Sequence, residues 1–261
     1  MNLAPGDPAL MYVDYEKGPP TPEDIAEIRA KLGLDKPIYV RYFMWIKDVF
    51  KGNLGYSMIS RKPVIWEIQQ RIGTTILISF SSMVVSFIFG ILIGTYCALN
   101  QYKFSDYILS IFAFIGLSIP SFWLAMMMIL LFTNKLGWLP SVGLSNVYLI
   151  NPSLVEVFKD RVRHLIMPIL AMSIVNIGSW ARYQRAAFLE VINQDYIRSA
   201  RSKGLSEVSI TFRHALRNAS LPIITVLGMS LPSIIGGSFI IESIFGIPGM
   251  GRYGLNAIMN R

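Results

Sequence analysis

The stretch Ile72–Tyr102, IGTTILISFSSMVVSFIFGILIGTYCALNQY, holds 31 residues without one Asp, Glu, Lys or Arg. A helix needs about 20 residues to cross the hydrocarbon of a bilayer, so this run alone suffices for a membrane span. Working outward, Tyr107–Asn134 gives a second uncharged run of 28 residues, Leu165–Ala181 one of 17 and Asn218–Ile241 one of 24. The short third run lengthens if it borrows His164 and the snorkelling stem of Arg182. The pattern predicts four transmembrane helices. Burial of the same helices in a large soluble core would need amphipathic helices around them, and the rest of the sequence does not supply these. Only 15% of the chain is charged, against about 25% in soluble domains, which excludes an ordinary soluble enzyme.

The 24 basic and 16 acidic residues leave a net charge of +8, which fits membrane-flanking loops better than a nucleic-acid partner. Counting alternate sides gives eight basic residues on one and nine on the other, so the charge rule does not orient the chain. The densest basic loop, residues 182–217, carries seven basic residues against Glu190, Asp195 and Glu207, which favours a cytoplasmic position. The single cysteine, Cys97, excludes an intrachain disulfide. Met1–Tyr12 lacks the basic flank and apolar run of an export signal.

Residues 1–70 read as a polar helical segment with nine basic and nine acidic residues. Thr21, Pro22 and Asp24 mark a helix start and Gly33 a stop. A second helix is expected over Pro37–Phe50, with Tyr39, Tyr42, Phe43, Trp45 and Ile46 on one broad apolar face. That face would lie on the membrane interface or on a partner, or else pack within the segment itself.

Several chemistries lack their residues. No Gly-Lys pair occurs, so the phosphate-cradling loop of an ATPase is missing. His164 and His214, the only histidines, are 50 positions apart, and no metal site follows from them. Gly116-Leu-Ser118-Ile-Pro120 only approaches a serine-hydrolase elbow and reads instead as a span bent at Pro120. The spans carry no ionisable residue in their interiors, which disfavours proton coupling. Their serines, threonines and Asn176 either line a wet path or, more simply, bond back to the helix and join helices together. Gly90 and Gly94, four apart, allow close helix approach.

Between the third and fourth spans stands Asp195-Tyr-Ile-Arg198-Ser-Ala200-Arg201-Ser-Lys203-Gly204-Leu205, followed by Arg213-His214-Ala-Leu-Arg217-Asn218. This resembles the signature loop of ABC-transporter permeases, whose general form is Glu-Ala-Ala, three residues, Gly, nine residues, Ile-x-Leu-Pro. Ala200, Gly204 and Leu216 match it, while Arg198, Ser199, His214 and Arg217 depart as in the first-subunit type of oligopeptide and dipeptide permeases. Ala4-Pro-Gly-Asp-Pro8, Gly52-Asn-Leu-Gly-Tyr-Ser57, Arg61-Lys-Pro-Val64, Glu242-Ser-Ile-Phe245 and Pro248-Gly-Met-Gly251 resemble other segments of that family, in the family's order.

The resemblance implies an all-α integral membrane protein with the type I ABC importer transmembrane fold, four of whose expected six spans are visible. The chain would then be truncated at both ends, with residues 1–70 extracytoplasmic and residues 71–261 forming the permease core. The implied protein is a non-catalytic permease subunit of an ATP-driven importer of di- and oligopeptides in a bacterial or archaeal cell membrane, without a cofactor. Implied partners are a second homologous permease, two cytoplasmic ATPases, an extracytoplasmic peptide-binding protein and the lipid bilayer; no nucleic acid is among them. The resemblance assigns Asp195, Arg198, Ala200, Arg201, Lys203, Gly204, Leu205, Arg213 and His214 to the ATPase-coupling loop. Gly204 should end a short helix in the left-handed region, and Ala200 should sit at the partner contact. A nickel or other small-solute permease of the same subfamily is the alternative. More distant rivals are a secondary carrier or channel, or an intramembrane enzyme built on His164, Glu242 and Asp106.

Overall fold

The computed structural model describes residues 9, 13, 19–31, 33–57, 60–146 and 151–259, and these are helical apart from turns, loops and one bridge between Tyr56 and Pro63. The Ala4–Pro8 motif lies outside the described residues. The chain divides into two compact units, residues 1–70 with 257–261 and residues 71–256.

In the first unit, α1 (Pro22–Lys31) starts where a side chain satisfies its orphan N–H groups. The Thr21 hydroxyl accepts from the Asp24 N–H at 3.2 Å, and the Asp24 carboxylate accepts from the Thr21 N–H at 2.9 Å. Gly33, at φ +64°, ends the helix, as only a residue without Cβ does cheaply. α2 (Ile38–Phe50) buries none of its residues. Its aromatic face therefore stays uncovered, with Phe43 at 68% and Trp45 at 58% exposure, and packing within the segment is not what the structure shows. Beyond α2, the Gly52–Tyr56 turn and Pro63 close a small loop through Ser57 N–H to the Lys62 carbonyl, 2.8 Å, and Val64 N–H to the Gly55 carbonyl, 2.9 Å.

The second unit is organised by two long helices, α3 (Val64–Leu99) and α6 (Leu154–Ile192). Lipid tails are as apolar as leucine, so helices in a bilayer associate through close packing and hydrogen bonds rather than through water release. Gly90 and Gly94 supply that closeness: a Cβ at either would collide with α6 at Trp180, Ala181 or Gln184. The serines interlock the same pair. Ser173 Oγ contacts Ser82 Oγ at 3.2 Å, and Ser86 Oγ lies 3.3 Å from the Ser173 carbonyl. Gln184 Nε2 donates to Thr95 Oγ1 at 3.2 Å. Partner numbers rise together along both helices, so α3 and α6 run parallel.

Two parallel spans require a return crossing between them. α4 (Phe104–Ser118) runs antiparallel to α6, pairing Asp106 with Arg185, Gly178 with Ala113 and Gly116 with Ile174. It ends at Ile119, whose ψ of 124° is the extended conformation that a following proline imposes. After Pro120 comes α5 (Ser121–Met128), continued by a π-helical segment, Ile129–Lys135. The two halves meet at 102°. Among the described residues, by length and composition, three helices can cross a membrane, or four if this bent pair is one span. Trp138, just past the pair, receives a hydrogen bond from Arg163 at 2.7 Å. Asp106, at its start, is bonded to Arg185. Arg163 and Arg185 stand about 33 Å apart along α6 at 1.5 Å per residue, the full thickness of the hydrocarbon. The bent pair is therefore one crossing.

Past α6 come α7 (Asp195–Ser202), a short turn α8 (Glu207–Ser209), a π-helical segment Ile210–Ala215 and α9 (Leu216–Ala219). α10 (Leu221–Gly236) then returns to the level of Thr75, and α11 (Phe239–Ile244) and α12 (Met250–Met259) follow. α6 is begun by a capping box, Ser153 Oγ accepting from Glu156 N–H and the Glu156 carboxylate from Ser153 N–H. The helix therefore extends well beyond its uncharged run at both ends. One apolar cluster, including Ile78, Met128, Met167, Ile241 and Phe245, holds the Thr75 end of the unit. A second, with Ala98, Phe188, Ile197 and Ile210, holds the other end.

Candidate functional site

The basic loop forms a compact knob at the end of the bundle opposite Thr75. α7 has only two side chains buried, Ile197 and Ala200, three apart and hence on one face. They pack with Ala98 of α3, Phe188 of α6 and Ile210, Ala215 and Ala219 beyond the loop. The knob thus shares its core with the ends of both long helices. Ala200, expected at a partner contact, is 7% exposed and turned inward, which corrects that expectation. Asp195, Arg198, Arg201, Lys203, Gly204, Leu205 and Arg213 are exposed, and His214 is half-buried.

Gly204 has φ +77°, the left-handed conformation expected of it, and nothing lies within 4 Å of where its Cβ would stand. Its N–H bonds the Arg201 carbonyl at 2.9 Å, and Leu205 N–H reaches the Ala200 carbonyl at 3.3 Å, so the last carbonyls of α7 are satisfied. Arg201 grips Glu207 with both arms of its guanidinium, 2.9 and 3.3 Å. Asn218 Nδ2 donates to Tyr196 Oη at 2.8 Å, tying the start of α7 to the start of the next span. Arg198 meets Asp195 at 3.5 Å, both largely exposed, an ion pair worth little.

Beside Leu205, the exposed part of the loop carries two apolar groups that the sequence reading passed over, Val208 and Phe212. Leu205, Val208 and Phe212 are 41%, 69% and 61% exposed. Their spacing of three and four in a charged segment is the available signal. Beneath the knob, Asp106 is 3% exposed and receives Arg185 Nε at 3.1 Å and Nη2 at 2.9 Å, a bidentate pair that locks the α3–α4 turn onto α6. Tyr102 N–H, in a turn at φ +66°, donates to the same carboxylate at 3.1 Å.

At the opposite end, Glu242 accepts from Thr75 Oγ1 at 2.9 Å and from Arg252 N–H at 2.8 Å, and Met250 N–H donates to Thr75 Oγ1 at 2.8 Å. Gly237, Gly249 and Gly251 crowd around the carboxylate, where a Cβ would strike it. Glu242 thus anchors α11 and the start of α12 to α3. His164 lies in another network, its Nδ1 2.8 Å from the Asp160 carbonyl. The three ionisable groups considered for an intramembrane enzyme are each engaged with different partners.

The family model for the binding-protein-dependent transport system inner membrane component matches residues 90–261, and its N-terminal companion matches residues 1–79. The chain is 36% identical over 262 residues to the oligopeptide transport system permease protein AppB of Bacillus subtilis, covering 100% of this chain and 80% of that protein. Against the glutathione transport system permease protein GsiC of Escherichia coli it is 35% identical, covering 100% of this chain and 79% of the relative. The fold resembles a crystal structure of an amino acid ABC transporter with histidines, TM-score 0.53 at 14% identity over 76% of this chain and 81% of that one.

Proposed function

The chain belongs to the family of binding-protein-dependent transport system inner membrane components, permease subunits of ABC importers, and from that premise we propose that it carries di- or oligopeptides and couples to cytoplasmic ATPases through the α7 knob. The carrying observation is the shared core of that knob. Ile197 and Ala200 pack on Ala98 of α3 and Phe188 of α6, so a displacement of the knob moves both spans together, as rigid-body alternating access requires. Arg198, Lys203 and Arg213 are exposed in the same loop as the exposed apolar Leu205, Val208 and Phe212. An apolar centre with a charged rim is the usual anatomy of a protein contact.

Peptide cargo is supported by the oligopeptide and glutathione transport named for the two relatives. The full assembly would contain a second permease, two ATPases and an extracytoplasmic binding protein. Residues 1–70 would lie on the binding-protein side, where the uncovered aromatic face of α2 has a use. The test is uptake of labelled peptides by vesicles containing the assembled complex. ATP-dependent peptide uptake that is lost when the ATPases are omitted is the expected result. Uptake without them points to a carrier or channel, and ATP-driven uptake of nickel but not of peptides reassigns the cargo.

A further inference from the structure

A cavity of about 230 Å³ lies between α3, α6 and α10, in the half of the bundle nearer Glu242. Its polar lining comes from Ser79, Ser82, Ser86, Asn176, Ser230 and Ser233, with the indole of Trp180 beside them, and none of its lining residues is ionisable. The orientation of these groups is specific. Ser86 Oγ donates to the Ser82 carbonyl at 2.7 Å, Ser230 Oγ to the Val226 carbonyl at 2.9 Å, and Ser233 Oγ to the Ser230 carbonyl at 2.6 Å. Asn176 Nδ2 is tied in the same way to the Met172 carbonyl at 2.9 Å. A hydroxyl has one proton and two lone pairs, so Ser86, Ser230 and Ser233 have each spent their donor on their own helix and offer the cavity acceptors, while Asn176 keeps its carbonyl and a second N–H. At one end Gly237, at φ +62°, lies against the Glu242 carboxylate, where a side chain would collide with Oε1. The negative group is thereby brought close behind the cavity wall.

We infer that this cavity is a station on the translocation path that takes hydrogen-bond donors of the cargo, the N–H edge and ammonium end of an extended peptide. The inference rests on the peptide reading above and deepens it. In an apolar layer an unpaired N–H is costly to carry, and a lining dominated by acceptors with no fixed side-chain selectivity removes that cost for any sequence. The volume is below the roughly 300–1,000 Å³ of a pocket that encloses a whole drug-sized ligand. It therefore suits a segment of cargo in passage. Asn176 and Ser233 are exposed and form its open edge.

The test uses the assembled transporter in lipid vesicles, with cysteine placed at Ser233 or at Asn176 and other reactive thiols replaced. A cationic methanethiosulfonate should modify either position about tenfold faster than an anionic one of equal size, because the local potential concentrates cations. Saturating peptide should slow the modification, and modified transporter should lose uptake. In a second arm, Ser230→Ala with Ser233→Ala should raise KM severalfold for an ordinary peptide and much less for one N-methylated along its backbone, which has fewer donors to lose. Equal reagent rates, normal uptake after complete modification, or the same KM change for both peptides would overturn the assignment. In each of those cases the unmodified complex still takes up peptide with ATP; if it does not, the cargo reading itself has failed.

Discussion

Gly204 and Ala200, four residues apart, answer to different physics. At φ +77°, Gly204→Val forces a β-branched side chain into the left-handed region, at about 1–2 kcal/mol. Open space surrounds the position, so the damage stays in the end of α7. The variant should insert normally yet lose cargo-stimulated ATP hydrolysis in the assembled complex, measured against uptake. Ala200→Trp acts otherwise, because Ala200 faces Phe188 and Ile210 in the core. Overpacking costs about 1–3 kcal/mol, and it should appear first as a lowered thermal midpoint of the purified chain. Phe212→Asp, on an exposed site, should leave that midpoint unchanged while reducing ATPase stimulation; the reverse ranking would move the contact off this face. The left-handed end of α7 was legible in the sequence from Gly204. The direction of Ala200 was legible too, had Ile197 been read with it as the only apolar pair on an otherwise polar helix. The Asp106–Arg185 fork was not, because 79 residues separate its members and no local pattern joins them. Asp106→Asn, which leaves Arg185 without its charged acceptor, should lower stability by about 1–3 kcal/mol, read as a drop in the denaturation midpoint in detergent.

Among the elements, the uncharged runs located α3, α6 and α10 because a bilayer forbids unpaired charge and unpaired backbone alike. Their ends were less legible. α6 continues to Leu154 and Ile192 on capping and helix continuity, neither of which needs apolar residues. Pro120 announced a break in the second span, but its 102° reflects where α5 finds its partners, the Leu165–Ala171 stretch of α6 and Phe245, and these lie far away in sequence. The same logic separates glycines that look alike on paper. Gly90 sits in contact with α6 at Trp180, whereas Gly228 in α10 has nothing within 4 Å of its Cβ position. Gly90→Ala should therefore destabilise, because the backbone and Cβ of Trp180 cannot step aside. Gly228→Ala should be neutral or gain up to about 1 kcal/mol from helix propensity. Thermal denaturation of the two variants side by side checks this, and equal effects would mean that α3 and α6 are not in close contact at Gly90.

For the molecule as a whole, the parallel course of α3 and α6 fixes which loops share a face, though not which face is the cytoplasmic one. Ser82 with Ser173, Gly94 with Gln184 and Ala98 with Phe188 set both helices in one direction, so the segment between them must recross the layer, and α10 crosses it once more. The loop before α6, including Ser145, then lies on the face opposite the α7 knob. A re-entrant α4–α5 pair would put them on the same face, so the topology tests the fold. On the proposed reading α7 would be cytoplasmic and Ser145 outside, and residues 1–70 would be outside as well. Single cysteines at Ser145, Glu23 and Lys51 should react with a membrane-impermeant reagent applied to intact cells, and one at Lys203 only after the membrane is opened. Lys203 labelled from outside with Ser145 protected would invert the orientation and remove the knob from any cytoplasmic ATPase. Both labelled from one side would break the parallel pairing of α3 and α6 on which the bundle is built.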